Sequence, residues 1–233
     1  AGGSGLPFSH PHGPAGMKNV FTWPRRGIYL LTPDDADTGR LLARVGPLLA
    51  LRPALLQYRN KAAGPALRAE QARALLDLCR AHAVPLVIND HWRLALEIGA
   101  AGAHLGEHDG ALAEARLQAP GLWLGASCYD ALGRAEAAAA EGADYLAFGA
   151  FFPSGTKPLA RRADPRLLGE ARILGRPLVA IGGITPDNAA GLVAAGADLL
   201  AVVGGVFDAP DPAAALRALQ QAFESKNPGN TNE

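Results

Sequence analysis

Short apolar segments rich in β-forming residues alternate eight times with longer segments rich in alanine and leucine. A short apolar segment followed by one of helical period is typical of a strand-helix unit, and repeated units of this kind build a parallel sheet. Eight units in 233 residues favour a closed (β/α)8 barrel over an open doubly wound sheet, because such barrels have roughly 250 residues. We therefore predict an α/β fold, a TIM barrel with a single domain.

The eight predicted strands are short. They span Gly27 to Leu31, Ala54 to Tyr58, Pro85 to Asn89, Ala103 to Leu105, Leu122 to Ala126, Tyr145 to Phe148, Leu178 to Ile181 and Leu199 to Val203. The predicted helices span Thr38 to Ala50, Gly64 to His82, Trp92 to Ile98, Ala111 to Gln118, Ala131 to Glu141, Pro165 to Leu174, Pro186 to Ala195 and Pro212 to Phe223. Thr185 and Asp211 are expected to cap the last two helices, since a proline in the first helical turn follows each of them.

A Gly-Ala pair stands just before three of the predicted strands, at Gly102, Gly142 and Gly196. Glycine readily adopts the left-handed backbone conformation that commonly ends a helix. Each of these glycines is therefore expected to end the preceding helix and to turn the chain into the sheet.

The two ends of the chain differ in composition from its middle. Residues 1–16 are rich in glycine, proline, serine and histidine, and the single methionine, Met17, follows them. We interpret this prefix as the disordered remnant of an expression tag and exclude it from the fold. Residues 225–233 are polar and contain proline and glycine, which predicts a disordered tail. The predicted barrel occupies residues 17–224.

Charge and apolar content narrow the range of partners. The formal net charge is zero, so the composition does not indicate binding to nucleic acid or to an anionic membrane surface. No apolar segment approaches the roughly 20 residues that a membrane-spanning helix needs. Cys79 and Cys128 lie far apart and no secretory signal precedes them, which favours ordinary thiols in a reducing cytoplasm. Small molecules are the expected partners, and the sequence leaves a homo-oligomer open.

Catalytic residues of such a barrel lie at the carboxyl ends of its strands and in the loops that follow. Gln57, Arg59 and Lys61 come at the end of the second strand and share one face if the strand alternation continues. Arginine offers a planar fork of donors and lysine a compact charge, so these side chains suit an anion with several acceptor oxygens. The alternative is a solvated loop between a strand and a helix.

The third and fourth strands are followed by carboxylates. Asp90 follows one strand and Asp109 the other, and neighbouring barrel strands would bring them together. Proteins bind Mg2+ through one or two carboxylates and leave its other positions to water and phosphate oxygens, so the pair predicts a Mg2+ site. Zinc is disfavoured because the nearby histidines show no ligand spacing with a cysteine. In the alternative, each aspartate caps the helix after it.

The fifth and sixth strands place hydroxyls and a cation at the mouth of the barrel. Ser127 follows the fifth strand, with capping of the next helix as its alternative role. No histidine or acid stands beside it in sequence, so a nucleophilic serine is not supported, and a nucleophilic Cys128 is disfavoured. The loop after the sixth strand carries Ser154, Thr156 and Lys157, which can donate to phosphate oxygens and neutralise developing charge. A lid over the mouth is a natural role for this loop.

Paired glycines follow the last two strands, Gly182 with Gly183 and Gly204 with Gly205. Glycine lets backbone N–H groups approach an anion closely, and the loops after strands seven and eight are the usual phosphate site of such barrels. These loops predict a second anion site, separate from the one near Arg59. Tight turns are the alternative explanation for the glycines.

Taken in order and at their spacings, these motifs resemble those of the thiamine-phosphate synthase family. The resemblance extends over about residues 27–223 and rests on the segments Gln57-Tyr58-Arg59-Asn60-Lys61, Asn89-Asp90, His104-Leu105-Gly106-x-x-Asp109, Gly125-x-Ser127, Phe152-Pro153-Ser154-x-Thr156-Lys157, Ala180-Ile181-Gly182-Gly183-Ile184 and Ala201-Val202-Val203. It implies a TIM-barrel transferase of thiamine biosynthesis. Such an enzyme joins 4-amino-2-methyl-5-hydroxymethylpyrimidine pyrophosphate to 4-methyl-5-(2-phosphoethyl)thiazole, two phosphorylated small molecules, and yields thiamine phosphate and pyrophosphate.

The resemblance also implies roles for individual residues. The implied pyrophosphate ligands are Gln57, Arg59, Lys61, Asn89 and Lys157, and the implied ligands of Mg2+ are Asp90 and Asp109. Ser127 would lie beside the pyrimidine and the pyrophosphate. The implied thiazole-phosphate ligands are Ser154, Thr156, Gly182, Gly183, Val203 and Gly204. The implied catalytic residues are Arg59, Lys61, Ser127 and Lys157, because a dissociative reaction needs stabilisation of the leaving group rather than a strong base.

The sequence departs from the family pattern at three positions. Ser154 stands where threonine is usual, Glu107 where glutamine is frequent, and Gly204 where serine is common. The exchange at Gly204 leaves a backbone N–H in place of a hydroxyl donor.

Two other functions on the same fold are weighed against this one. A thiazole tautomerase-like barrel need not activate a pyrophosphate, and it would have a histidine where Tyr129 stands. A non-catalytic barrel that binds thiamine precursors would not need the pair of metal-binding carboxylates. A sugar-phosphate isomerase would need a placed acid-base pair, which the sequence does not show.

Overall fold

Eight parallel strands close into a barrel, with the carboxyl ends of all strands at one rim. The structure is a computed structural model, and it describes residues 23–24, 26–106, 112–153 and 162–224. Each strand pairs with the next one along the chain, and β1 (Gly27–Leu31) also pairs with β8 (Leu199–Val202), which closes the sheet. The predicted (β/α)8 fold is confirmed. The prefix at 1–16 and the tail at 225–233 lie outside the described residues.

The other strands are β2 (Leu55–Tyr58), β3 (Leu86–Asn89), β4 (Gly102–Leu105), β5 (Trp123–Tyr129), β6 (Tyr145–Gly149) and β7 (Leu178–Ile181). The helices are α1 (Thr38–Leu49), α2 (Pro65–His82), α3 (Trp92–Ile98), α4 (Leu112–Gln118), α5 (Leu132–Ala140), α6 (Arg166–Ala171), α7 (Pro186–Ala195), α8 (Gly204–Phe207) and α9 (Pro212–Gln221). A 3-10 turn at Arg172–Leu174 follows α6.

Two predicted features are wrong, and one helix is missed. β5 continues to Tyr129, with an irregular register after Ser127, so Ser127 lies within the strand rather than after it. The short helix α8 is not predicted from the sequence, because its four residues are too few to show a helical period. Gly102 lies inside β4, and α3 ends instead at Gly99, which has a φ of +73°.

The two predicted helix caps are confirmed. Asp211 accepts a hydrogen bond from the Ala214 N–H at 2.9 Å at the start of α9. Thr185 is the N-cap of α7, and Asn188 Oδ1 accepts the Thr185 N–H at 2.9 Å. At the start of each helix, a side-chain oxygen thus accepts a backbone N–H that would otherwise lack a partner.

Alternation along the strands divides the core into two layers. Leu55 and Val87 belong to the layer inside the barrel, whereas Leu56 and Ile88 belong to the layer between the barrel and its helices. The inner layer also contains the aromatic residues Tyr29, Trp123 and Tyr145. Trp23 packs against the rings of the last two, with centroids 5.1 and 5.0 Å apart. Since these two residues begin β5 and β6, the indole covers the amino end of the barrel.

The same ionic arrangement recurs at the amino ends of β6 and β8. Asp144 stands directly before β6, accepts the Leu124 N–H of β5 at 2.8 Å, and lies 2.5 Å from the Arg116 guanidinium. Asp198 stands directly before β8, accepts the N–H of the first residue of β7 at 2.9 Å, and lies 3.9 Å from Arg172. Each arginine also donates to the glycine carbonyl of the same Gly-Ala-Asp phrase. These contacts join neighbouring strands at the rim opposite the predicted site.

Two further expectations concern the chain as a whole. In the part of the chain that the structure describes, no helix is long and apolar enough to cross a membrane. Cys79 and Cys128 are free and buried. Burial raises the pKa of each thiol to about 12, so neither is a thiolate at neutral pH and neither suits a nucleophilic role.

Candidate active site

The loops after β1 and β2 hold each other at the carboxyl rim. The Arg59 N–H donates to Thr32 Oγ1 at 2.9 Å, and the Thr32 hydroxyl donates to the Arg59 carbonyl at 3.0 Å. The Lys61 N–H donates to Asp34 Oδ1 at 3.1 Å, and the Arg59 guanidinium lies 3.8 Å from the same oxygen. The loop after β1 therefore positions the backbone that carries both cations.

The three predicted anion ligands of β2 do not share one environment. β2 ends at Tyr58 and Lys61 lies in an exposed turn, so the predicted alternation does not continue to Lys61. Gln57 points into the barrel, is only 3% exposed, and donates through Nε2 to the Tyr29 hydroxyl at 2.8 Å. Tyr58 points the other way and donates to Gln71 on α2 at 2.8 Å. The single anion site expected from the sequence is therefore divided between the buried Gln57 amide and the Arg59 and Lys61 cations nearer the surface.

A cleft of about 260 Å³ opens beside Lys61, at the carboxyl ends of β2 and β3. Its lining residues are Tyr58, Asn60, Lys61, Arg68, Asn89, Asp90 and His91. The structure thus brings together Lys61, Asn89 and Asp90, which the sequence predicts as ligands of a pyrophosphate and its metal ion. Arg68 adds a second cation from the beginning of α2. Cations, amides and a carboxylate in one cleft suit a phosphorylated group together with a divalent metal ion.

Asp90 has an uncommon backbone conformation at the edge of this cleft. Its φ of +64° lies in the left-handed region, which residues other than glycine seldom adopt, although aspartate tolerates it better than most. Asn89 Nδ2 donates to Asp90 Oδ2 at 2.7 Å, and the Asp90 N–H donates to the His104 carbonyl at 2.8 Å. The N-cap of α3 is His91, so Asp90 is not the cap that the alternative interpretation requires.

The donor set of the cleft fits a hard cation. Within the described ranges, no group of three or more His, Cys, Asp or Glu side chains could hold a metal ion. Zinc sites need three or four such ligands, whereas Mg2+ needs one or two carboxylates and takes water and phosphate oxygens besides. Asp90 supplies one carboxylate, and the Asn89 amide orients it. The Asp90 carboxylate is a ligand of the kind that Mg2+ takes in proteins.

Ser127 has a histidine neighbour that its sequence context does not reveal. His104 pairs with Gly125 across the sheet, and Ser127 lies two residues further along on the same face. As a result, His104 Nε2 lies 2.9 Å from Ser127 Oγ. The N-cap of α5 is Ala131, so Ser127 does not cap that helix. The sequence shows no histidine beside Ser127 along the chain, and the structure supplies one from the neighbouring strand.

The described contacts of His104 differ from those of a catalytic triad. His104 Nδ1 lies 3.1 Å from the Tyr145 hydroxyl, whereas in a triad a carboxylate holds that nitrogen and stabilises the charged ring. Burial raises the pKa of Tyr145 well above its ordinary value, so this partner is a neutral phenol. Among the described contacts, His104 Nδ1 therefore has a neutral phenol where a triad has a carboxylate.

The loops after β6, β7 and β8 touch one another at the rim. A side chain on Gly183, whose φ is +63°, would overlap the backbone of the loop after β6. The Phe152 N–H donates to the Gly182 carbonyl at 3.1 Å. A side chain on Gly205 would overlap the Ile184 carbonyl. The glycines are therefore required by close backbone contacts, and these contacts gather three loops around one place.

Val203 and Gly204 lie at the beginning of α8. Val203 is the N-cap residue and Gly204 is the first helical residue. A short extra helix after the last barrel strand is a frequent part of the phosphate site in this fold. The remaining predicted ligands, Ser154, Thr156, Lys157 and Asp109, lie outside the described residues.

Several residues near the site are not predicted from the sequence. One signal in the sequence could have pointed to Arg68: a cation near the start of a helix opposes the helix dipole, so such a position suggests a functional role. Tyr29 and Tyr145 had another, because a hydroxyl on the buried face of a strand requires a partner. The contact of His104 with Ser127 had none, because it depends on the register between β4 and β5.

Comparison with known proteins identifies the family. A family described as thiamine monophosphate synthase matches residues 28–206. A thiamine-phosphate synthase from Xanthomonas campestris pv. campestris (strain 8004) is 57% identical over 199 residues, which are 85% of this chain and 96% of that protein. The chain belongs to the thiamine-phosphate synthase family. A thiamine-phosphate synthase from Xylella fastidiosa (strain Temecula1) is 53% identical over 208 residues, which are 89% of this chain and 88% of that one.

Solved structures agree with the assignment to the thiamine-phosphate synthase family. A thiamine phosphate pyrophosphorylase from Pyrococcus furiosus superposes with a TM-score of 0.77 at 31% identity, covering 86% of this chain and 96% of that one. A 3-hexulose-6-phosphate synthase superposes with a TM-score of 0.64 at 20% identity, covering 84% and 99%, which shows the shared barrel fold alone. Membership of the family makes this protein an enzyme of the transferase class, and the family uses a metal ion.

Proposed function

We propose that this protein joins 4-amino-2-methyl-5-hydroxymethylpyrimidine pyrophosphate to 4-methyl-5-(2-phosphoethyl)thiazole, giving thiamine phosphate and pyrophosphate. One observation carries the proposal. Lys61, Asn89 and Asp90 line a single cleft at the carboxyl rim, in a chain that is 57% identical to a thiamine-phosphate synthase. A leaving pyrophosphate with its metal ion needs this combination of cation, amide and carboxylate.

The pyrophosphate end of the site lies between β2 and β3. Lys61 and Arg59 stand on backbone that Thr32 and Asp34 hold from the neighbouring loop, so little reorganisation is needed when an anion binds. The other proposed ligands of the pyrophosphate are Gln57, Asn89 and Lys157. Arg68, which lines the same cleft, joins them in this proposal.

The thiazole-phosphate end lies across the mouth. The proposed ligands are Ser154, Thr156, Gly182, Gly183, Val203 and Gly204. The close packing of the loops after β6, β7 and β8 supports this assignment, because it brings these loops together near the start of α8, where phosphate sites of this fold commonly lie. Ser127, which is half-buried on β5, is placed between the two ends, beside the pyrimidine.

The proposed reaction begins with departure of the pyrophosphate. The bond from the pyrimidine methylene carbon to the pyrophosphate oxygen breaks, and its electron pair leaves with the pyrophosphate. The thiazole nitrogen then donates its lone pair to the methylene carbon. Arg59, Lys61 and Lys157 bind the developing anion, and each such donor commonly changes the rate about a hundredfold to a thousandfold.

Asp90 and Asp109 are the proposed ligands of Mg2+. When bound, Mg2+ would neutralise negative charge on the departing pyrophosphate. The Asn89 amide holds Asp90 Oδ2, which orients the carboxylate toward one position. A reducing cytoplasm is the proposed setting, and the two free, buried cysteines support it.

The test is formation of both products by the purified full chain. The protein is incubated with both precursors and Mg2+, and thiamine phosphate and pyrophosphate are measured separately. Equal amounts of the two products are expected. Binding of both precursors without either product would instead indicate a non-catalytic binding protein. Isomerisation of a thiazole precursor without pyrophosphate release would indicate a tautomerase-like barrel.

A further inference from the structure

A chain of hydrogen bonds crosses the interior of the barrel. Gln57 Nε2 lies 2.8 Å from the Tyr29 hydroxyl, and the Tyr29 hydroxyl lies 2.8 Å from that of Tyr145. The Tyr145 hydroxyl lies 3.1 Å from His104 Nδ1, and His104 Nε2 lies 2.9 Å from Ser127 Oγ. We call these five residues the interior chain. Its two ends are proposed substrate ligands, whereas its three middle members have no part in the proposed function.

Packing holds the members of the interior chain in place. Tyr29 and Tyr145 are 1% and 0% exposed, and the His104 and Tyr145 rings stack with centroids 5.6 Å apart. A side chain on Gly125 would overlap the ring of Tyr145, so the glycine makes room for that ring inside the barrel. Because the two phenols are buried, their protons must go to acceptors within the interior chain.

The chemistry of the first member sets a direction. An amide nitrogen only donates, so the Tyr29 oxygen accepts from Gln57. Among the described residues, the Tyr29 proton then has the Tyr145 oxygen as its acceptor. Tyr145 accepts there and passes its own proton to His104 Nδ1. Burial raises the pKa of both phenols, so both keep the protons that this direction requires.

We propose that the interior chain donates in one direction, from Gln57 to Ser127, and holds His104 as the tautomer with its proton on Nε2. His104 then donates to Ser127 Oγ, which leaves the serine proton to be directed at the mouth. Ser127 acts as a donor to an oxygen of the leaving pyrophosphate, not as an acceptor for the pyrimidine amino group. Tyr29, Tyr145 and His104 are positioning residues. The identity of this anion rests on the proposed function, whereas the tautomer of His104 does not.

The opposite direction predicts a different molecule. If the Gln57 oxygen faced Tyr29, each bond would reverse, His104 would carry its proton on Nδ1, and Ser127 would donate to Nε2. Ser127 would then present lone pairs to the mouth and would repel a pyrophosphate oxygen. The two directions therefore differ in which ring nitrogen of His104 carries the proton.

Nitrogen NMR of the full chain with 15N-labelled histidine decides between them. The His104 signals are assigned by their loss in His104→Gln. The expected result is a protonated Nε2 and an unprotonated, hydrogen-bonded Nδ1. A protonated Nδ1 in the wild type would overturn the proposal, whether or not the protein makes thiamine phosphate.

Two variants test the chain and its consequence. In Tyr145→Phe, the Nδ1 signal is expected to move toward the position of a nitrogen without a hydrogen bond. The matched control is Tyr129→Phe, which removes an exposed hydroxyl of the same type near Ser127 and should leave the signal unchanged. If Tyr145→Phe leaves the His104 Nδ1 signal unchanged, the interior chain is refuted. If that variant does not fold, the wild-type spectrum still decides.

The donor role of Ser127 is tested by calorimetric binding of inorganic pyrophosphate with Mg2+. Ser127→Ala should bind it about tenfold to a hundredfold more weakly, as expected for loss of a hydrogen bond to a charged group. Tyr129→Phe should bind it as the wild type does. Unchanged affinity in Ser127→Ala would overturn the donor role. Failure of the proposed function would be seen separately, as the absence of thiamine phosphate in the product assay.

Discussion

Asp144 provides the sharpest test of how this barrel is held together. Its carboxylate joins the amino ends of β5 and β6 by accepting the Leu124 N–H, and it pairs with Arg116 at 2.5 Å. Replacement by alanine removes both contacts and leaves a partly buried guanidinium without this counter-ion. Two variants are compared with Asp144→Ala for their loss of stability. Asp198→Ala removes the corresponding but longer pair with Arg172, and Glu114→Ala removes an exposed ion pair.

The expected magnitudes follow from burial. Asp144 is 11% exposed and Arg116 24%, and breaking a largely buried pair costs about 3–5 kcal/mol in unfolding free energy. The two side chains are not fully buried, so we expect about 3 kcal/mol for Asp144→Ala. Asp198→Ala loses a backbone hydrogen bond and a 3.9 Å pair with an exposed arginine. We expect this variant to lose about 2 kcal/mol of unfolding free energy. Glu114, in an exposed pair, should cost less than about 1 kcal/mol.

Urea unfolding measures these differences. Tryptophan fluorescence and far-ultraviolet circular dichroism should both be followed, because chains of this size often populate intermediates. The midpoints should fall in the order Glu114→Ala, Asp198→Ala, Asp144→Ala, with the last variant least stable. Equal losses in all three would refute the argument from burial. Folded Asp144→Ala and Asp198→Ala should keep their catalytic activity, because these two residues lie at the rim opposite the proposed site. An inactive but folded Asp144→Ala would contradict that separation.

Three further predictions concern the site and its surroundings. Asp90→Asn should keep the fold by circular dichroism but lower turnover at least about a hundredfold, because it removes a charge proposed to bind Mg2+; normal turnover would exclude that role. Gly183→Ala should raise the KM for the thiazole substrate, because its side chain would overlap the loop after β6, whereas Gly191→Ala, in open space on α7, should leave KM unchanged. The pKa of Asp35 is lowered from 3.8, chiefly by its hydrogen bond from Arg40. The stability it contributes is therefore present above that pH and is lost as the pH falls through the lower folded-state pKa; Asp35→Asn should be less stable at neutral pH and lose less stability on acidification, as followed by urea midpoints.

The sequence alone determined the class and order of the structure. The period of apolar residues and the proline-marked helix starts at Pro186 and Pro212 are local signals, so eight strand-helix units could be counted without coordinates. The rule that sites lie at the carboxyl ends of barrel strands then selected Lys61 and Asp90. The family resemblance added Asn89, and all three line one cleft. The order and spacing of the motifs also identified the family that the comparisons show.

Only the tertiary structure decided which side chains meet. Gln57 and Lys61 are four residues apart, yet one is buried inside the barrel and the other is exposed, because β2 ends between them. Ser127 and His104 meet because the register between β4 and β5 places them on one face. Pairing register, strand ends and close backbone contacts such as that of Gly183 depend on the whole closed sheet, and a local sequence pattern does not contain them.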